Sequence, residues 1–379
     1  MQAIDSANLS LAEFKRRAGF ASKKGAVSRH RYDATTAIKT VLWAYRLRQV
    51  TGVNGPYGLE RHYEPEAFLR GAGGDRSHTN KWLGYAKGRH EPKSVLAAVE
   101  KAFPGVNDCL RSPVWAALAA GPLSKHQIGK LLTQLAKPLQ DLIKRHGLWP
   151  EKMKSARRQN VGTLTAAIER RASLDALAAL ILLLRQANAT GDQDAAYDWG
   201  GRLWRMMVLL GPSLVAGGVA GPLSELIEQR IMPMATLQGV RLGFPAGGYM
   251  RVVAAFRIAR ARVASHSLVE QATAWQRLAI GPRLLAYKLG WDFDHAFNPI
   301  PMFNDGIDLL GLTGRAVLAA RRAEEQRWCH EWGLNMLTRG GHQNLPPDAA
   351  RTGTDLWAVD PDDPIVLQLA EFRKRRNVA

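Results

Sequence analysis

The stretch Ser124–His146, SKHQIGKLLTQLAKPLQDLIKRH, decides the fold class. Ile128, Leu131, Leu132, Leu135, Leu139, Leu142 and Ile143 recur at three- and four-residue steps, so they share one face of an α-helix. Lys130, Lys137 and Lys144 recur every seven residues almost opposite that face. Ser124 suits the N-cap, and Pro138 should kink the helix or split it in two, because proline lacks the donor that an interior turn needs. The same periodicity runs through most of the chain and strand signals are scarce, so the expected class is all-α.

Working toward the N-terminus, residues 36–50 (TAIKTVLWAYRLRQV) read as a helix, ended by TGVNGPYG at 51–58. Pro65 opens a short helix (PEAFLR) that Gly71, Gly73 and Gly74 interrupt. Ser77 offers an N-cap for HTNKWLGYAKG, closed by Gly88. After Pro92, KSVLAAVEKAF places Leu96, Val99 and Phe103 on one face. Toward the C-terminus, a helical region at 163–188 should break near Ser173, and ATGD at 189–192 turns the chain into a helix over 193–210. Helices near 223–231, 249–264, 267–289, 312–338 and 364–376 complete a helical bundle. Met206–Ser224 is nineteen residues without a charge, but its internal Gly and Pro residues make it a buried helix end and a tight connection rather than a membrane span.

Charge divides the chain more sharply than pattern does. The whole sequence of 379 residues carries a formal +19. Residues 1–160 hold 28 Lys/Arg against 12 Asp/Glu, a net +16, whereas residues 161–379 hold 24 against 21. A field concentrated on one module points to a polyanionic partner. The expected organisation is a basic flexible arm (1–35), a nucleic-acid-binding module (36–148), a polar basic linker (149–160) and a helical partner domain (161–379). That domain would supply self-association or protein contacts. Two cysteines, Cys109 and Cys329, exclude a disulfide framework and suit a reducing, cytoplasmic setting such as a bacterial one. No membrane association is expected.

Within the basic half, Trp82, Tyr85, Gly88, Pro92, Leu96 and Val99 are spaced as W–x2–Y–x2–G–x3–P before an apolar-periodic helix. Over about residues 65–103 this resembles the recognition-helix half of the phage-repressor type of helix-turn-helix. The resemblance implies DNA binding, with the helix after Ser77 as the reader. A regulator or a subunit of a nucleoprotein assembly fits that, and a mobile-element or phage-defence system is a setting it admits. The residues themselves suit the role. His78, Thr79, Asn80 and Lys81 would face base edges from the first turn. Arg76, Lys87, Arg89 and Lys93 flank them as phosphate contacts, and Lys15, Arg16, Arg17, Lys23 and Lys24 extend the charge into the arm. Trp43, Tyr45, Tyr57, Tyr63, Trp82 and Tyr85 interleave with these bases, a pattern that also suits stacking on RNA, although helical spacing assigns most of them to the core.

Catalytic signals are thin. Asp292, Asp294, His295, Asp305 and Asp308 cluster in DFDHAFNPIPMFNDGID and form a weak candidate for a divalent metal and a nuclease. Arg260 and His266 fit a loose arginine–histidine spacing too permissive in an arginine-rich chain to carry information. In WCHEW, Cys329, His330 and Glu331 point in different directions on a helix. There is no P-loop, no dinucleotide-binding glycine motif and no HExxH. The reading is therefore a non-catalytic nucleic-acid-binding protein without a cofactor, DNA favoured over RNA. The rivals are a helical scaffold for an acidic protein and the metal nuclease.

Overall fold

The computed structural model describes residues 9–19, 33–65, 80–149, 161–237, 240–244, 248–264, 297 and 300–303. The expected helices at 267–289, 312–338 and 364–376 lie outside the described residues, as do the PEAFLR helix, Ser77, residues 150–160 and WCHEW. What is described is predominantly helical, as the periodicity requires.

Helix α1 (Leu11–Arg17) falls in the stretch expected to be a flexible arm. It forms because Ser10 and Glu13 make a reciprocal capping box, and it docks because Leu11, Phe14 and Ala18 are apolar on one side and buried. The Leu11 N–H donates to Glu225 Oε2 at 2.8 Å, tying α1 to a helix more than two hundred residues away. Helix α2 (Ala34–Thr51) is buried along nearly its whole length and ends at Gly52 in the left-handed region. The Gly/Pro run that follows does more than end α2. Gly55–Tyr63 forms α3, with Pro56 in its first turn, where a missing N–H costs nothing.

The short α4 (Lys81–Ala86) is capped by Asn80 and closes at Gly88, which adopts φ +71°. A Cβ at Gly88 would lie 2.9 Å from the Ala37 carbonyl oxygen, so glycine is required here both for its conformation and for the approach of this turn to α2. Then come α5 (Leu96–Ala102), α6 (Asp108–Arg111) and α7 (Val114–Ala117). Val99 is buried, with Leu96 and Phe103 packed against the core beside it. The Ser124–His146 stretch is two helices, α8 (Lys125–Leu132) and α9 (Lys137–Arg145), with Pro138 in the first turn of the second. Ser124 caps the first through a capping box with Gln127, and the apolar stripe is buried or half-buried throughout.

Helix α10 (Val161–Glu169) and helix α11 (Leu174–Ala189) are separated at Ser173, which caps the second. Residues 176–187 of α11 are all buried, so this helix is central, packed against α7, α8 and α12 (Gln193–Ala216). Helix α12 runs six residues past its expected end. Pro212 sits inside it, removing the bond to the Val208 carbonyl without stopping the helix, because Leu209, Leu210, Leu214 and Val215 remain held in the core. After Gly217 and Gly218, α13 (Ala220–Arg230) follows, then a 3₁₀ turn (Met232–Met234). No described helix is long and apolar enough to cross a membrane, and Met206–Ser224 is divided between α12 and α13.

A small sheet was not expected. Strands β1 (Thr236–Leu237) and β2 (Val240–Gly243) pair antiparallel, with Leu237 opposite Val240. After α14 (Gly248–Ala264), β3 (Ile300–Phe303) pairs antiparallel with β2, Val240 opposite Phe303. Segments this short carry no readable alternation, and their pairing comes from 60 residues away.

One apolar core runs from Leu11 to Phe297 and includes residues on both sides of 149–160. Tyr45 of α2 lies so close to Gly218 that a Cβ there would meet its ring at 2.8 Å. Three arginines reinforce these junctions. Arg205 makes a bidentate pair with Glu169 at 2.9 and 3.1 Å. Arg185 donates to the carbonyls of Ala117, Gly121 and Ala119. Arg230 donates to the Leu118 carbonyl in the same turn and to both carboxylate oxygens of Asp33.

Candidate nucleic-acid interface

Two basic segments that are far apart in sequence meet in space. Lys15, Arg16 and Arg17 occupy the last turn of α1, where cations answer the unpaired carbonyls of the helix end. Lys87 and Arg89 follow α4, whose end is folded back by the Arg89 N–H donating to the Gly84 carbonyl at 2.8 Å. The Arg89 Nε–H donates to the Arg17 carbonyl oxygen at 3.3 Å. Arg16 and Arg89 are exposed and Lys15, Arg17 and Lys87 half-exposed. Lys93 is exposed nearby in sequence, 3.9 Å from Glu91, whose other oxygen pairs with Lys39 at 2.8 Å.

Lys81 is held differently. Its Nζ lies 2.6 Å from Glu64 Oε1, while the Trp82 indole N–H donates to Glu64 Oε2 at 2.8 Å. Burial pulls the Lys81 ammonium toward the neutral form, but Glu64 and Tyr85 outweigh it and hold its pKa above the ordinary lysine value. Lys81 thus fastens α4 to the end of α3. Asn80, the N-cap, takes φ +50° and is exposed. Arg76, His78, Thr79, Lys23 and Lys24 lie outside the described residues.

The aromatic residues are mostly structural. Trp82 stacks between Tyr63 and Trp43, at centroid distances of 5.4 and 6.1 Å, and Tyr85 meets both tryptophans edge-on. Trp43 donates its indole N–H to Asn107 Oδ1 at 2.8 Å. Trp43, Tyr45, Trp82 and Tyr85 are buried, and Tyr57 is exposed. Of the lysine stripe, Lys130, Lys137 and Lys144 are all exposed; Lys137 pairs with Asp141 at 3.2 Å and Lys144 sits 4.5 Å over the Trp149 ring.

Asp292, Asp294, His295, Asp305 and Asp308 lie outside the described residues, and among the described residues no group of three or more His, Cys, Asp or Glu side chains could hold a metal ion. Cys109 is buried, and burial pushes its thiol up to about 11, leaving it protonated and a poor nucleophile at neutral pH. The meeting of Arg17 and Arg89 had no sequence signal, because neither segment marks the other as a neighbour. No protein-family model, no curated protein and no solved structure matches this chain.

Proposed function

We propose that this chain is a non-catalytic nucleic-acid-binding protein, with DNA favoured, acting as a regulator or as a subunit of a nucleoprotein assembly. The observation that carries the reading is the meeting of the α1 and α4 termini, which gathers Lys15, Arg16, Arg17, Lys87 and Arg89 in the half of the chain with a net +16. Cations on a rigid scaffold suit phosphates spaced along a backbone, which supply most sequence-independent affinity. The first-turn readers of the helix-turn-helix reading are narrowed by the structure's hydrogen bonding. With Lys81 engaged by Glu64, Asn80 is the described residue best placed to read bases, and Lys87, Arg89 and Lys93 serve as phosphate contacts.

The test is the affinity of the full chain for duplex DNA, single-stranded DNA and RNA across a salt series. Tight binding that falls steeply with salt, favouring duplex, supports the reading. Binding that is weak, equal for all three and gone by physiological salt would overturn it and favour an acidic protein as the partner of the basic half.

A further inference from the structure

A cleft of about 560 Å³ opens where five segments converge: α2, α6, the residue before α9, the α10–α11 turn and the end of α12. Its size falls in the range of about 300–1,000 Å³ typical of small-molecule sites. The floor is apolar, formed by Leu42, Leu174, Leu210 and Leu214. Its walls are tied together before any ligand arrives, because Asp175 accepts from the Ser112 hydroxyl at 2.9 Å and from the Ala136 N–H at 3.1 Å.

The charges in the lining are unequal in availability. Asp175 has both oxygens engaged, and Asp108 lies 3.7 Å from Arg111. Ser173 is occupied as the cap of α11. Arg46, exposed at the rim, has no carboxylate partner among the described residues. An apolar floor below one uncompensated guanidinium suits a molecule with an apolar body and a single anionic head. A cation finds no free carboxylate there, and a wholly polar anion would leave four leucines facing water.

We infer that this cleft binds a small amphipathic anion, a carboxylate or phosphate head on an apolar body, with the head on Arg46 and the body over Leu42, Leu174, Leu210 and Leu214. The site is separate from the α1–α4 basic surface and stands whether or not the chain binds nucleic acid.

The experiment is isothermal titration of the full chain with decanoate, and with decanol as the uncharged match, in the presence and absence of excess duplex DNA. Arg46→Gln removes the charge from an exposed position, and Ala172→Trp fills the cleft from an exposed lining position; thermal melting of each checks the fold. The expected result is saturable binding of one decanoate per chain, weaker for decanol, unaffected by DNA and reduced about tenfold in each variant. Absence of saturable binding, or equal binding by wild type and both variants, would overturn the site. Decanol binding as tightly as decanoate, or loss in Ala172→Trp alone, would overturn the role given to Arg46. Displacement by DNA, or loss in Arg46→Gln alone, would overturn the cleft as the seat of the apolar body.

Discussion

Glu169 and Arg205 form a two-pronged ion pair inside the protein, both residues less than a tenth exposed, joining α10 to α12. Removing one partner strands the other charge in a poorly solvated place. Glu169→Ala should destabilise the protein by about 3–5 kcal/mol, read from urea denaturation. Joint replacement by Glu169→Leu and Arg205→Met should cost clearly less than that single change. If the double variant is the less stable of the two, the pair contributes more than its own desolvation.

The Asp33–Arg230 pair makes a prediction about acid. Hydrogen bonds from the Arg230 guanidinium, opposed by burial, lower the Asp33 carboxyl from 3.8 to about 2. A depressed carboxyl contributes stability that is fully present above its unfolded value and lost as pH falls through its folded one. The contribution should therefore fade between about pH 4 and pH 2. Because Asp33 is half-exposed, about 1 kcal/mol is expected rather than the full value of the shift. Melting temperatures of wild type and Asp33→Asn should differ at pH 6 and converge near pH 2. A gap that persists unchanged to pH 2 would assign the effect of the substitution to packing.

Two glycines separate conformational strain from crowding. Gly121 has φ +87° with open space around it, and Gly88 has φ +71° with Ala37 in the way. Gly121→Ala should cost about 1–2 kcal/mol from the left-handed backbone alone. Gly88→Ala should cost a further 1–3 kcal/mol, roughly, for the forced separation of the α4 turn from α2. Chemical denaturation of the two variants side by side measures the difference, and equal losses would remove the packing argument.

Lys81 and Arg89 should behave oppositely. Lys81→Ala leaves Glu64 half-buried with only the Trp82 indole and should lower stability by about 1–2 kcal/mol. Arg89→Ala removes an exposed side chain and should change stability by less than about 0.5 kcal/mol. On the nucleic-acid reading, the Arg89 variant loses affinity and its salt dependence falls by about one phosphate contact, a change of roughly 0.9 in slope. Paired melting and DNA-titration curves test both halves, and an Arg89 variant with unaltered affinity and slope argues against the α1–α4 surface.

Much of the helical architecture was determined by local chemistry and was legible in the sequence. Ser124 and Ser173 cap where their side chains can reach the next turn's N–H, and Pro138 divides 124–146 because a ring without a donor belongs in a first turn. The apolar stripes of α8, α9 and α11 are the faces that are buried. These features depend on neighbours within about one turn, so one-dimensional spacing contains them. Tertiary structure decided the rest. Whether Gly55–Tyr63 continues as a loop or folds as α3, whether α12 ends at Pro212 or runs through it, and whether Leu11–Arg17 trails or docks were set by apolar surfaces elsewhere in the chain. The same holds for the candidate sites. Glu64 engages Lys81, Arg17 meets Arg89 and Arg46 overhangs a leucine floor through contacts between segments whose spacing along the chain says nothing of their distance in space.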